Sequence, residues 1–378
     1  MAGRIVLYGA TGYTGRLTAQ ALVACGARPV LAGRDAGRLH ALSARLSRSS
    51  GNGDEFETAV AAADEPSALR KLIGAGDVLV STAGPFFRIG RAAVEAAVDA
   101  GAMYFDSTGE PPFIRQVFEE YGPRAQQTVS VLLTAFGYDY VPGNLAAALA
   151  LLEAGPLARR VGIGYFARGD MRKALSAGTR ASVAGMIFEQ GHAYRGGRIV
   201  PQRAAAELAS FGIAGKAREA FCVGGSEHFA LPRLQLPCAS QLTDVGVYLG
   251  WSDSAVRVVH YASALSPLLG RLPLVRRVAD AQAGRIQRSR GEPDPSERVR
   301  SDVLAVAYGP DGQSLARVHL TGGDPYSFTS GILAWAACRA AATAVTPAGA
   351  LGPAEAFGVE VLEEGCASAG ITRVNAAS

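Results

Sequence analysis

The first 135 residues alternate short apolar runs with stretches whose apolar positions recur at helical spacing. Arg4–Tyr8, Pro29–Ala32, Phe56–Ala62, Asp77–Ser81, Met103–Asp106 and Val129–Ala135 predict six strands. Between them, Thr14–Cys25, Ala36–Leu46, Pro66–Ile73, Arg91–Ala100 and Pro112–Tyr121 predict helices. Leu39, Leu42 and Leu46 mark one buried helical stripe, and Pro66 stands where a first helical turn accepts it. Asp77–Ser81 reads DVLVS, apolar without alternation, as strands covered on both faces do. The expectation for residues 1–135 is α/β: a doubly wound Rossmann domain with a parallel sheet.

After Phe136 the rhythm changes. Gly143–Glu153 predicts a helix, Arg160–Ala167 a strand and Thr179–Gln190 another helix. The stretch 196–250 is rich in Gly and Pro and predicts no clear element. A helical region is expected over Ser254–Gln287, broken near Pro273, and the polar Arg285–Arg300 is expected as a loop. Val303–Tyr308 and Leu315–Thr321 flank Gly309-Pro310-Asp311-Gly312, whose turn chemistry predicts a hairpin. A helix follows over Ser327–Val345. Residues 136–325 are therefore expected to form an α+β substrate domain with a mostly antiparallel sheet.

Gly9-Ala-Thr-Gly12-Tyr-Thr-Gly15 follows the first strand and opens the first helix. In that context the glycines permit a sharp turn, a close approach to a pyrophosphate and tight helix packing. Bare amides and the helix dipole then favour phosphate. Gly9, Thr11, Gly12, Tyr13, Thr14 and Gly15 are the expected diphosphate contacts. At the end of the second strand Arg34 stands where an acidic residue would select NAD, and its guanidinium suits a 2′-phosphate. Arg38 adds charge one turn on, while Asp35 leaves an inward turn toward NAD open. The expected cofactor is NADP. Asp64 is placed either to approach the adenine or to cap the helix that Pro66 opens. Ser81, Thr82, Ala83 and Gly84 follow the fourth strand, where small residues leave room for the nicotinamide ribose.

Composition adds exclusions. Hydrophobic residues make up 49% and charged residues 19% of the 378, enough apolar matter for large cores and too little charge for a disordered chain. Net charge is +4 from 37 basic and 33 acidic residues, which leaves no electrostatic footprint for nucleic acid. Cys25, Cys222, Cys238, Cys338 and Cys366 are odd in number and scattered, against a disulfide framework or a zinc site, and no metal is expected. The apolar run Leu145–Leu152 ends at Glu153 and Gly331–Val345 carries Arg339, so no run reaches the ~20 residues of a membrane span. Ile5–Tyr8 stops in glycines without the pattern of a signal peptide, and a cytoplasmic chain is expected. The apolar Gly331–Val345 helix could cover the Rossmann domain or make a homodimer contact.

GATGYTG, AGRD, STAGPF, a Val-x-Ala-Ala helix, YFDSTGE and GYDYVPGNLAA together resemble the saccharopine dehydrogenase-like oxidoreductases, in their trans-acting enoyl reductase branch. The resemblance continues through Ala177–Ser182, Gly224–His228 and Tyr326–Ala341. It implies a Rossmann domain, an inserted substrate domain and a last segment, 326–378, that returns to pack on the Rossmann domain. It also implies a nicotinamide cofactor, usually NADP. The chain departs at Tyr138-Asp139-Tyr140, where relatives often carry Phe-Asp-Ser, and at Gly143-Asn144, where Ser-Asp is common.

Short-chain dehydrogenases commonly place a tyrosine four residues before a lysine, but Ser67, Gly169 and Gly212 hold that place before Lys71, Lys173 and Lys216. Candidate proton donors lie instead after the fifth and sixth strands, where Asp106, Thr108 and Glu110 face Tyr138, Asp139 and Tyr140 in the chain's order of loops. Tyr138 and Asp139 are the candidate catalytic pair. Glu110, Tyr140 and His228 are candidate substrate contacts. The favoured activity is NADPH-dependent reduction of an activated C=C bond in a small-molecule or carrier-bound substrate, such as an enoyl thioester of polyketide or lipid assembly. The alternatives are reduction of an imine, with Arg172, Arg180 and Arg195 available as carboxylate clamps, or a non-redox role such as cyclisation, isomerisation or sensing.

Overall fold

Ile5-Val-Leu-Tyr8 has no polar face to offer water, and it becomes a central strand buried along its whole length. The computed structural model describes residues 3–50, 55–63, 65–169, 189–213, 215–250, 253–264 and 299–374. Contacts divide the chain into two units. Met1–Thr108, Phe113–Asp139 and Tyr326–Gly370 form the first, and Gly109–Pro112, Tyr140–Pro325 and Ile371–Ser378 the second.

The first unit holds strands β1 (Ile5–Tyr8), β2 (Val30–Gly33), β3 (Thr58–Val60), β4 (Val78–Ser81), β5 (Met103–Asp106) and β6 (Val131–Leu133). Helices α1 (Tyr13–Ala24), α2 (Ala36–Ser50), α3 (Pro66–Leu72), α4 (Phe86–Ile89), α5 (Arg91–Ala100), α6 (Pro111–Gln116) and α7 (Gly122–Thr128) connect them. The sheet is parallel and ordered β6-β5-β4-β1-β2-β3, with Gly349–Ala350 added beside β6 as a seventh strand. β1 lies between β2 and β4, so successive connections leave it in opposite directions. That reversal opens a crevice beyond the carboxyl ends of β1 and β4, where ligands bind in such sheets. The helix Pro325–Ala342 also contributes to this unit and buries Phe328, Ile332, Leu333, Ala336 and Ala337.

The α/β expectation matches in order and type. The expected helix from Pro112 continues through a π-helical turn at Val117–Tyr121 into α7, where Pro123 occupies the first turn, and ends at Val129, which takes a left-handed φ. The short α4 was not expected. β3 and β6 come out shorter than their apolar runs.

The second unit is built on α8 (Val141–Ala154), apolar around its circumference and buried through Leu151, as a helix covered on all sides must be. It packs on β7 (Arg160–Arg168) and on β13 (Arg300–Tyr308) and β14 (Ser314–Gly322). Between these in sequence run β8 (Gln190–Arg195), β9 (Arg198–Arg203), β10 (Leu208–Ile213), β11 (Lys216–Cys222) and β12 (Asp244–Gly250). The sheet order is β10-β11-β12-β7-β13-β14, continued by Ile371–Arg373, and only the β7–β12 pair is parallel. β8 pairs with β12 and β9.

The expected hairpin is β13–β14, closed by a Gly309 amide that donates to Gln313 O at 3.0 Å. The stretch 196–250 resolves mainly into strands, whose mixed polar faces hid them from periodicity. Gln190, expected to end a helix, instead opens β8; 179–188 lie outside the described residues. The expected helix from Ser254 is observed at Asp253–Ser263, and its continuation beyond 264 lies outside the described residues. Most of the expected loop Arg285–Arg300 lies there too, but its last residue opens β13. Among the described residues no helix is long and apolar enough to cross a membrane.

Candidate functional site

β1 ends where Gly9 takes a φ of +80°, which turns the chain sharply toward α1. The amides of Gly9 and Ala10 both donate to Ala32 O, at 3.0 and 3.1 Å, and tie the turn to the end of β2. On its other side the Thr82 hydroxyl donates to Tyr8 O and Gly9 O at 3.1 and 3.2 Å. The residues after β4 therefore brace the glycine turn. Gly15 is needed because a Cβ there would stand 2.2 Å from Gly9 O and 2.9 Å from Thr82 Oγ1.

Gly12 differs. It is exposed, and a Cβ there would meet only Gly9 O, at 3.3 Å. Gly12 is also the N-cap of α1, where no side chain caps the first turn. An uncapped helix start beside an open glycine edge fits a diphosphate.

Arg34 follows β2 at this same edge, and its side chain is exposed with no hydrogen bond or ion pair among the described residues. Asp35 Oδ1 accepts from the Arg38 amide at 3.0 Å and so caps α2. Arg38 takes a different part from the one expected. Its guanidinium donates to Thr11 O at 3.0 Å, joined by Arg16 at 3.1 Å, and two cations thus hold the loop's middle carbonyl. Neither loop clamp was visible as such in the sequence, because the bonds span the β1–α1 and β2–α2 turns. Thr82, Ala83 and Gly84 are partly exposed, while the Ser81 side chain is wholly buried. Asp64 lies outside the described residues.

Further along the carboxyl edge, β5 ends at Asp106, which pairs in register with Ser81 of β4. Its buried carboxylate accepts from the amides of Thr108 and Ala135, both at 2.9 Å, and from the Thr134 hydroxyl at 2.7 Å. Burial raises its pKa to about 6 despite those bonds. Asp106 is thus a brace between the loops after β5 and β6. Next come the two candidate catalytic residues. The Tyr138 amide donates to Thr329 Oγ1 at 3.0 Å, and its ring meets Phe328 edge-on at 6.4 Å. Asp139 is half-buried and has no hydrogen bond or ion pair among the described residues. Desolvation alone pushes its carboxyl up to about 6. That places a proton donor and acceptor near neutral pH.

The candidate substrate contacts Glu110, Tyr140 and His228 all belong to the second unit and are no more than 2% exposed. The Tyr140 ring meets Tyr165 edge-on at 5.8 Å, and its carbonyl accepts from the Tyr165 hydroxyl at 3.1 Å and Asn144 Nδ2 at 2.9 Å. The same hydroxyl lies 2.6 Å from Glu227 Oε1, and Asn144 donates to Ser226 Oγ at 3.1 Å. Gly143 is essential to this cluster, since a Cβ would lie 1.9 Å from the Tyr165 oxygen. His228 Nδ1 accepts from the Gly225 amide at 3.1 Å, and its ring meets the His192 ring at 5.3 Å. Burial, and then His192, hold its pKa well below the usual histidine value. His228 is neutral at neutral pH.

Sequence reasoning missed Tyr165, Glu227, Asn144 and His192 as members of this cluster. The readable signal was the glycines: Gly143, Gly224 and Gly225 each sit where a Cβ would strike one of these side chains. Arg195, a proposed carboxylate clamp, is already paired with Glu207 and lies 3.7 Å from Asp244. Arg172 and Arg180 lie outside the described residues.

Residues 5–132 match the Saccharopine dehydrogenase NADP binding domain. Over this stretch the chain is similar to the NADP-binding domain of saccharopine dehydrogenases. The matched range runs from the start of β1 into β6 and includes the glycine turn, Arg34 and Asp106. Among curated relatives, a protein of Mycobacterium tuberculosis strain H37Rv, provisionally named a trans-acting enoyl reductase, is 40% identical over 144 residues. The trans-acting enoyl reductase of Mycobacterium leprae is 39% identical over 143 residues, and that of Mycobacterium bovis strain BCG is 37% identical over the same length. Each alignment covers 37–38% of this chain and 34% of the relative. The chain thus spans about a third of the length of the curated relatives it matches.

Proposed function

We propose that the protein is an NADPH-dependent reductase of an activated carbon–carbon double bond, with an enoyl thioester, free or carrier-bound, as the substrate class. The observation that carries the reading is the pairing, within one unit, of an NADP-type cradle with an unpartnered carboxyl poised near neutrality. When bound, NADPH supplies a hydride to the electrophilic carbon. Gly9, Thr11, Gly12, Tyr13, Thr14 and Gly15 would hold its diphosphate, Arg34 its 2′-phosphate, and Thr82, Ala83 and Gly84 would flank its nicotinamide end.

Asp139 supplies the proton that the reduced substrate needs, and its raised pKa keeps a useful fraction protonated at neutral pH. Tyr138, fixed by Thr329 and Phe328, sets the direction in which the Asp139 backbone leaves β6. In the second unit we assign positioning roles. Tyr140 and the neutral His228 hold the backbone at Asn144 and Gly225, and Glu110 is a buried side chain of the loop after β5. The engagement of Arg195 by Glu207 disfavours the carboxylate clamp that an amino-acid-type imine would need.

The test follows NADPH consumption with a panel of enoyl thioesters and a panel of cyclic imines. Turnover of enoyl thioesters alone is expected. Turnover confined to imines, or NADPH binding without consumption across both panels, would overturn the reading.

A further inference from the structure

α1 begins at Tyr13, whose ring meets Tyr326 edge-on, with centroids 5.1 Å apart and planes at 89°. Tyr326 lies in the first turn of the helix Pro325–Ala342. Cys25 follows Tyr13 by twelve residues, and Cys338 follows Tyr326 by the same twelve. Each interval spans about 18 Å of helix. Equal offsets bring the two cysteines level only if the helices run the same way, and an independent bond shows that they do. The Gly3 amide donates to Ala341 O at 3.0 Å. Gly3 lies just before the amino end of β1, the end to which α1 returns, so the later helix finishes at the same end of the sheet as α1.

We propose that Cys25 and Cys338 form a reversible disulfide when the protein meets a hydroperoxide. Cys25 is the C-cap of α1 and exposed, whereas Cys338 is half-buried on its helix and Cys222, Cys238 and Cys366 are buried. Burial, together with the neighbouring Cys25, pushes the Cys338 thiol up to about 11.

The accessibility difference orders the chemistry. The Cys25 thiolate attacks one peroxide oxygen, the O–O bond breaks, and Cys25 becomes a sulfenic acid as hydroxide leaves. The Cys338 sulfur then attacks the Cys25 sulfur, the S–O bond breaks, and its proton departs with the hydroxyl as water. Two thiols are oxidised, one peroxide is reduced and two waters form. The product would join the first helix to one drawn from roughly 310 residues further along the chain.

The experiment treats the reduced full-length chain with hydrogen peroxide and maps its peptides without reductant. A Cys25–Cys338 linked peptide is expected, with an intact mass lower by two hydrogens and full reversal by dithiothreitol. Cys25→Ser and Cys338→Ser each abolish the link, and Cys238→Ser retains it. In Cys338→Ser the stranded sulfenic acid on Cys25 should take up a 1,3-dione label, which reads the first step even if the disulfide variant behaves poorly. Oxidation of Cys25 to sulfinic or sulfonic acid in the native chain without a link would overturn the proposal. So would cross-linking of Cys25 between chains, or the absence of any change.

Discussion

On the proposed reading, single side chains decide which nucleotide is held and where the proton comes from. Arg34 is exposed and uncommitted, so Arg34→Ala should weaken NADPH binding roughly tenfold, the loss of one charge-assisted phosphate contact, and leave NADH unchanged. Titration calorimetry with both nucleotides checks this. In the proposed reaction the protonated form of Asp139 does the work. With its pKa raised to about 6, turnover under saturating substrate should fall as pH rises through that value. Asp139→Asn should lower kcat roughly a hundredfold, the scale of one lost general acid, remove that inflection and spare the NADPH dissociation constant. A kcat–pH profile for both proteins tests it. If the variant kept the inflection, another group would be the donor.

Elements explain why two glycines of one motif are not equivalent. Gly15→Ala forces a Cβ into Gly9 O and Thr82, so it should shift α1 and lower the melting temperature as well as coenzyme affinity. Gly12→Ala needs only a few tenths of an ångström from Gly9 O. It should melt close to the native chain yet bind NADPH poorly, since its Cβ occupies the diphosphate's approach. Paired thermal melts and binding isotherms distinguish the two. Much of this was legible beforehand, because buried parallel strands such as Val78–Ser81 are apolar runs and a phosphate turn announces itself by glycine spacing. The Asp35 cap and the Arg38 bond to Thr11 were not legible, since each depends on which of several local hydrogen bonds the backbone selects. The second-unit cluster was hidden for another reason. Tyr165, His192 and Glu227 meet across more than sixty residues of chain, and no local period records such a meeting. The sheet strands within 196–250 alternate too weakly to be read, as the half-exposed β9 illustrates.

For the whole molecule, the first unit depends on residues that arrive late. Tyr138 is fixed by Thr329, the Gly3 amide by Ala341, and β6 gains its outer neighbour only from Gly349–Ala350. A chain ending at residue 325 should therefore lose both NADPH binding and a cooperative melting transition, measurable by fluorescence titration and circular dichroism. A fragment that kept full affinity would show the late segment to be dispensable. The same arrangement bears on biosynthesis. A ribosome adds about 5–20 residues each second, so tens of seconds or less separate the emergence of β6 from that of its outer partner. Throughout that delay a nascent sheet carries an open apolar border, and a holding chaperone has reason to linger on the growing polypeptide until Gly349–Ala350 has emerged.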